Sequence, residues 1–179
     1  MGWTGLHRER GTSDLDFFRQ EYNDPDNHKV LDAARNGTTV YLAYQSGEEV
    51  VGIVVLTQVS RDPYYNFYYK DMDETMGPYE AKCPERILDQ LTPTTDENAL
   101  RWREDCRAYH VERKARPKTR KGDVLVFAQP LVDYAPLAGI TRFVLDDPRK
   151  NILRVEGSYS RFHVTWWRDR KFTVEKEER

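Results

Sequence analysis

The chain has 179 residues, of which 39% are hydrophobic, 12% aromatic and 32% charged. That length suits one domain or two small ones, and apolar residues gathered in blocks exclude a globally disordered chain. The net charge of −2 argues against a dedicated DNA binder, and two cysteines, Cys83 and Cys106, are too few for a disulfide scaffold or a four-cysteine metal site.

From the N-terminus, "GTSDLDFFRQEY" reads as a short helix, with Ser13 as N-cap, Asp14 and Asp16 in the first turn, and Leu15, Phe18 and Tyr22 on one face. "NDPDNHK" breaks it at Pro25, and "HKVLDAARNG" is expected to add one or two further helical turns before Asn36-Gly37. "TTVYLAYQ" alternates Val40, Leu42 and Tyr44 with Tyr41 and Ala43, and after the "SGEE" turn "VVGIVVLTQV" completes a hairpin. The second strand is apolar on both faces, so it is expected in the interior of a sheet covered on each side. "NFYYKDMDE" supplies the third strand of an antiparallel meander.

"CPERILDQL" follows a Gly77-Pro78 turn and reads as a helix with Pro84 at its first position and Ile87, Leu88 and Leu91 as its apolar face. "TPTTDENALRWREDCRAYHVERKAR" is the longest helix, with Thr94 and Glu97 at capping-box spacing. Leu100, Arg103, Arg107 and Val111 fall near one stripe, and Trp102, Cys106 and Tyr109 near another. Beyond "ARPKTRKGD" the pattern turns to short β segments: "DVLVFAQPL", "ITRFVLDD", "NILRVEGSY", "FHVTWW" and "KFTV". The expected fold is therefore α+β: residues 1–116 a small antiparallel sheet with packed helices, residues 117–174 an SH3-like β-barrel segment, and residues 175–179 a frayed tail.

Charge is spread unevenly. Residues 1–107 hold 12 Lys/Arg against 20 Asp/Glu, or −8, and residues 108–179 hold 16 against 10, or +6. Opposite signs on the two halves offer different faces to partners. No apolar run reaches the roughly 20 residues of a membrane helix, "MGWTGLHRERG" has no signal-peptide core, and Leu6 stands where a myristoylation signal wants Ser or Thr. The expectation is a cytoplasmic protein without a membrane partner.

Three stretches could carry chemistry. Asp71, Asp73, Glu74 and Glu80 could gather Mg²⁺ or Mn²⁺, since Asp71 and Asp73 share a strand face; the competing reading is a strand end and turn whose acids cap and face solvent. Cys83 at a helix start could hold a lowered thiol pKa, against the simpler reading of a small buried residue. Arg8 and Arg10 with Trp3 could meet phosphate and a base; the structural alternative has Trp3 anchoring the terminus in the core. The main basic run comprises Arg113, Lys114, Arg116, Lys118, Arg120 and Lys121, and "SYSRFHVTWWRDRK" adds Arg161, Arg168 and Arg170 beside aromatics. Together they have the electrostatics of a small nucleic-acid-binding domain, or of a solvated helix end beside buried aromatics. Walker, dinucleotide-binding and nucleophile-elbow motifs are absent.

"MGWTGLHRERGTSDLDFFRQE" together with "FYYKDMDETMGPYEAKCPERILDQLTPT" resembles an uncharacterised domain family of bacteriophages, plasmids and their bacterial hosts. The resemblance covers most of residues 1–107, extends less distinctly beyond them, and carries over no catalytic residue. It implies a cytoplasmic accessory protein of a mobile element acting in the host cell. The leading functional expectation is a non-enzymatic, cofactor-free interaction protein directed at a host protein or protein–nucleic-acid complex, with an anti-restriction or anti-CRISPR role as one instance. The alternatives are a metal-dependent hydrolase of nucleotides or nucleic acid using the acidic cluster, and a plain nucleic-acid binder.

Overall fold

The structure is a computed structural model and describes residues 2–22, 24, 27–62, 64–131 and 137–176. The chain divides into two compact units, Met1–Ala115 and Arg116–Arg179, each with its own antiparallel sheet.

In the first unit five strands, β1 (Thr4–Leu6), β2 (His28–Asn36), β3 (Thr39–Ser46), β4 (Glu49–Val59) and β5 (Phe67–Asp73), lie in the order β1-β5-β4-β3-β2. The doubly apolar β4 is the central strand. Its Ile53 and Val55 face one core, with Val40, Leu42 and Phe67; its Val54 faces another, with Tyr41 and Ala43. Helix α1 (Asp14–Tyr22) covers the first face with Phe17 and Phe18. Helices α2 (Glu85–Leu88) and α3 (Glu97–Ala115) cover the second with Ile87, Leu88, Trp102 and Cys106. Each such side chain, fully buried, contributes about 1.5–3 kcal/mol. Alternation along β3 therefore distributes the two cores as its sequence foretold.

The segment expected to be helical, residues 28–36, is instead strand β2, paired with β3 from His28↔Ser46 to Asn36↔Thr39. Its Leu, Ala and Arg content favours a helix only by tenths of a kcal/mol per residue, and a full strand ladder overrides that. A bulge between Val30 and Asp32 re-phases β2, so that Val30 and Ala33 face the α1 side while Leu31 and Ala34 face α2 and α3. The β2–β3 and β3–β4 hairpins turn on two residues with glycine first: Gly37 and Gly47, at φ 63° and 60°. That backbone conformation disfavours any side chain at the first turn position. The expected break at Pro25 lies outside the described residues.

Ser13 caps α1 as expected, its Oγ accepting from the Asp16 N–H at 3.1 Å. The cap of α3 differs from the Thr94/Glu97 box. Asp96 accepts the Ala99 N–H at 2.9 Å, and Thr94 instead accepts from the Asp96 N–H at 3.1 Å. The buried stripe of α3 is Ala99, Trp102, Arg103 and Cys106, whereas Leu100 and Val111 are exposed. Trp3 is 51% exposed beside β1, so it does not anchor the terminus in the core.

The second unit holds β6 (Val124–Phe127), β7 (Arg142–Asp147), β8 (Ile152–Val155), β9 (Arg161–His163) and β10 (Phe172–Glu175), ordered β10-β6-β7-β8-β9. Every strand expected from the sequence is present, and Glu175, the first residue of the expected tail, ends β10 opposite Val124. One sheet face carries Leu125, Phe127, Phe143, Leu145 and Leu153, packed with Trp167. The outer strands β9 and β10 are not paired with each other among the described residues, so the sheet is open and not a closed barrel. Three residues in β9 leave few backbone groups for closure.

Candidate nucleic-acid interface

The four acids of the "YKDMDETMGPYE" stretch do not gather. Asp71 accepts the Tyr22 hydroxyl at 2.5 Å on the α1 side of the sheet. Asp73 caps a 3₁₀ turn, Glu74–Met76, accepting from the N–H and hydroxyl of Thr75. Glu74 turns into the core and meets Arg103 of α3. Glu80 takes the Trp102 indole N–H on its backbone carbonyl at 3.1 Å. Among the described residues no three His, Cys, Asp or Glu side chains are placed to share a metal ion. The composition of this stretch comes from capping and one buried ion pair, beside a cavity of about 330 Å³ that Glu74, Arg103, Glu49 and Thr92 help to line.

Cys83 and Cys106 are buried in the core between the sheet and helices α2 and α3. Burial pushes both thiols up, Cys106 to about 12 and Cys83 further, so neither is a ready thiolate.

The N-terminal arginines separate. Arg8 pairs with Asp14 at 2.7 Å, lies 5.1 Å from the ring centroids of Phe17 and Phe67, and so ties the N-terminal segment to α1. Arg10 is exposed and has no carboxylate partner among the described residues. In the basic run, Arg113 and Lys114 end α3, with Lys114 held by Glu85 at 2.9 Å. Arg116 lies 3.5 Å from Asp169. Lys118, Arg120 and Lys121 are exposed without a carboxylate partner among the described residues. Arg161 is held by Asp146 at 2.6 Å.

In the second unit the sheet brings cations from separate segments to one end. The loop entering β6 is pinned to β7 by Gly122 N–H donating to the Leu145 carbonyl (2.8 Å) and Leu145 N–H to the Asp123 carbonyl (2.9 Å). That places Arg120 and Lys121 beside the β7–β8 turn, where Arg149 and Lys150 are exposed. The acids there are occupied by backbone. Asp123 accepts the Arg120 N–H at 2.7 Å, and Asp147 accepts those of Lys150 and Arg149 at 3.1 and 2.9 Å. The Lys150 amide above all, then the Arg149 amide and the charges of Lys150 and Lys121, hold Asp147 below its usual carboxylate range. Arg168 braces the same turn, donating to the Pro148 carbonyl at 2.7 Å and to the Asn151 side chain, with its guanidinium over Trp167. Burial lowers the pKa of Arg168.

Arg149 and Lys150 stand between the β segments "ITRFVLDD" and "NILRVEGSY". Adjacent cations there are the signal the sequence offers, but their proximity to Arg120 and Lys121 depends on strand order. By unit, residues 1–115 hold 14 Lys/Arg against 21 Asp/Glu, or −7, and residues 116–179 hold 14 against 9, or +5.

Residues 93–167 match a family described as a domain of unknown function, DUF6927. The match begins before α3 and ends at the 3₁₀ turn after β9, so it takes in the cationic end just described. It overlaps the stretch that carried the phage and plasmid resemblance only at residues 93–107. No curated protein and no solved structure matches the chain. No helix among the described residues is long and apolar enough to cross a membrane.

Proposed function

We propose that this protein is a non-catalytic interaction protein whose second unit binds the phosphate backbone of nucleic acid, free or within a protein–nucleic-acid complex. The observation that supports this reading is the group of exposed cations, Arg120, Lys121, Arg149 and Lys150, at one end of the β6–β10 sheet, with the neighbouring Asp123 and Asp147 engaged by backbone amides. Exposed cations that form no close ion pair among the described residues displace the counterions of a polyphosphate, and the affinity so gained falls as salt rises. The acidic first unit, at −7, supplies the opposite sign for a basic protein partner. An anti-restriction or anti-CRISPR role is one instance of such an activity.

The test is fluorescence anisotropy with a labelled 20-base-pair duplex across a potassium chloride series. Wild type binds with log affinity falling linearly in log salt, by about 0.9 for each phosphate neutralised. The quadruple variant R120E/K121E/R149E/K150E loses most of that binding and most of the slope. Undetectable wild-type binding of both this duplex and a single strand of the same length at low salt, or a variant that binds as wild type does, overturns the proposal.

A further inference from the structure

We infer that the nucleic acid this unit takes is single-stranded, and that Trp166 is the surface on which one of its bases stacks; the inference rests on the phosphate-binding reading above. The two adjacent tryptophans have different fates. Trp167 is buried in the core of the sheet, whereas Trp166 is 38% exposed. The segment that presents Trp166 is fixed at several points. Val164 N–H donates to the Asn151 carbonyl at 3.0 Å, Arg168 is tied to the β7–β8 turn, and Asp169 N–H closes onto the Trp166 carbonyl at 3.0 Å. Ala128 N–H then holds the Lys171 carbonyl at 3.3 Å.

Trp166 is thus an exposed indole on a braced turn, one residue from the core and two from the arginine that supports the cationic end. The guanidinium of Arg170 lies 5.3 Å from the Trp166 ring centroid, with no carboxylate partner among the described residues. Arg170 also lines a cavity of about 350 Å³ with Gln129, Pro130, Asp169 and Lys171. This assembles what one nucleotide unit of a flexible strand needs: an aromatic face for the base, two cations for a phosphate, and an amide side chain for a base edge. A duplex keeps its bases stacked inside and cannot offer them to an indole, whereas a single strand can.

The experiment compares a labelled 20-nucleotide oligo-dT with a 20-base-pair duplex, by anisotropy at one salt concentration. Wild type binds oligo-dT more tightly than the duplex. Trp166→Leu weakens oligo-dT binding about tenfold, the usual scale for loss of one base stack, and changes duplex binding less than twofold. Trp166→Phe, which keeps an aromatic face, retains most of the oligo-dT affinity. Oligo-dT also quenches wild-type tryptophan emission, and that quench disappears in Trp166→Phe; this readout stands even if Trp166→Leu folds poorly. Equal loss on both nucleic acids, or no quench on binding, overturns the inference and leaves phosphate binding intact. Failure of the wild-type protein to bind either probe removes the underlying reading as well.

Discussion

Glu74, just past the end of β5, and Arg103, in the middle of α3, meet side-on. Nε and Nη2 of Arg103 donate to the two Glu74 carboxylate oxygens, each at 2.6 Å, with the side chains only 8% and 1% exposed. Two further bonds anchor the pair: Gly52 N–H donates to Glu74 at 3.1 Å, and Arg103 Nη1 donates to the Thr92 carbonyl at 2.7 Å. The pair therefore joins strand β4, the 3₁₀ turn after β5, the Thr92 loop and helix α3 at one buried point. Removing one partner strands the other as an uncompensated charge. Glu74→Ala is expected to cost about 3–5 kcal/mol in urea unfolding, and the double change Glu74→Leu/Arg103→Met much less than the sum of its singles. A single-variant loss below about 1 kcal/mol, the range of an exposed pair, would contradict the burial.

Gly52 lies in β4 directly beneath Trp102. A β-carbon there would fall 2.7 and 2.9 Å from two atoms of the indole ring, itself buried and tethered to the Glu80 carbonyl. Overpacking of this kind typically costs about 1–3 kcal/mol, so Gly52→Ala should lower the urea midpoint by a corresponding amount. In a Trp102→Leu background the same change should cost little, because the obstructing ring is gone; an unchanged cost would show that the strand backbone, not the ring, demands glycine.

Asp14 receives Arg8 and Arg35, both at 2.7 Å. Burial by itself raises its pKa and is the largest single influence, but the hydrogen bonds and charges of Arg35 and Arg8 together outweigh it and leave the carboxyl below 3.8. A depressed folded-state pKa contributes stability that is present above the unfolded value and is lost as pH falls through the folded one. Stability should therefore decline as pH drops below about 3.8, and Asp14→Asn should be less stable than wild type at pH 7 and show a shallower decline over that acid range. Chemical unfolding at pH 7, 4 and 3 measures both slopes, and parallel slopes would refute the assignment.

The thiols of Cys83 and Cys106 are inaccessible and held protonated. Neither should react with a disulfide reagent at pH 8 in the folded protein, and both should react at once in denaturant. Their raised pKa also sets a sign at high pH. The unfolded chain loses these protons from about pH 9, the folded one only near 12 for Cys106 and higher for Cys83, so between those limits stability falls as pH rises. Rapid labelling of native protein at pH 8 would rule this out.

Much of the architecture could be read from local pattern. The period-two alternation of β3 assigned its residues to two cores, and the doubly apolar β4 identified the centre of a covered sheet. Where reading failed, the deciding partner was in two cases a near neighbour, outweighed in the reading by local composition, and in one case remote in the chain. Residues 28–36 have the composition of a helix and became a strand because β3 offered a ladder across a glycine turn. Thr94 and Glu97 have capping-box spacing, yet Asp96 caps α3 because it is the residue immediately before the helix, three positions from the Ala99 amide, whereas Thr94 lies two residues further back. The acidic stretch suggested a metal site because a linear reading cannot tell which carboxylate turns inward to an arginine 29 residues away.

By itself the sequence determined the strands and helices whose residues alternate between water and core, the excess of acid in the first unit and of base in the second, and the absence of familiar catalytic motifs. Those properties depend on near neighbours and on counting. Tertiary structure alone decided that Glu74 belongs to Arg103, that Gly52 lies under Trp102, and that Arg149 and Lys150 stand beside Arg120 and Lys121. Each of these is a meeting of residues distant in the chain, and strand order and helix packing set which distant residues meet.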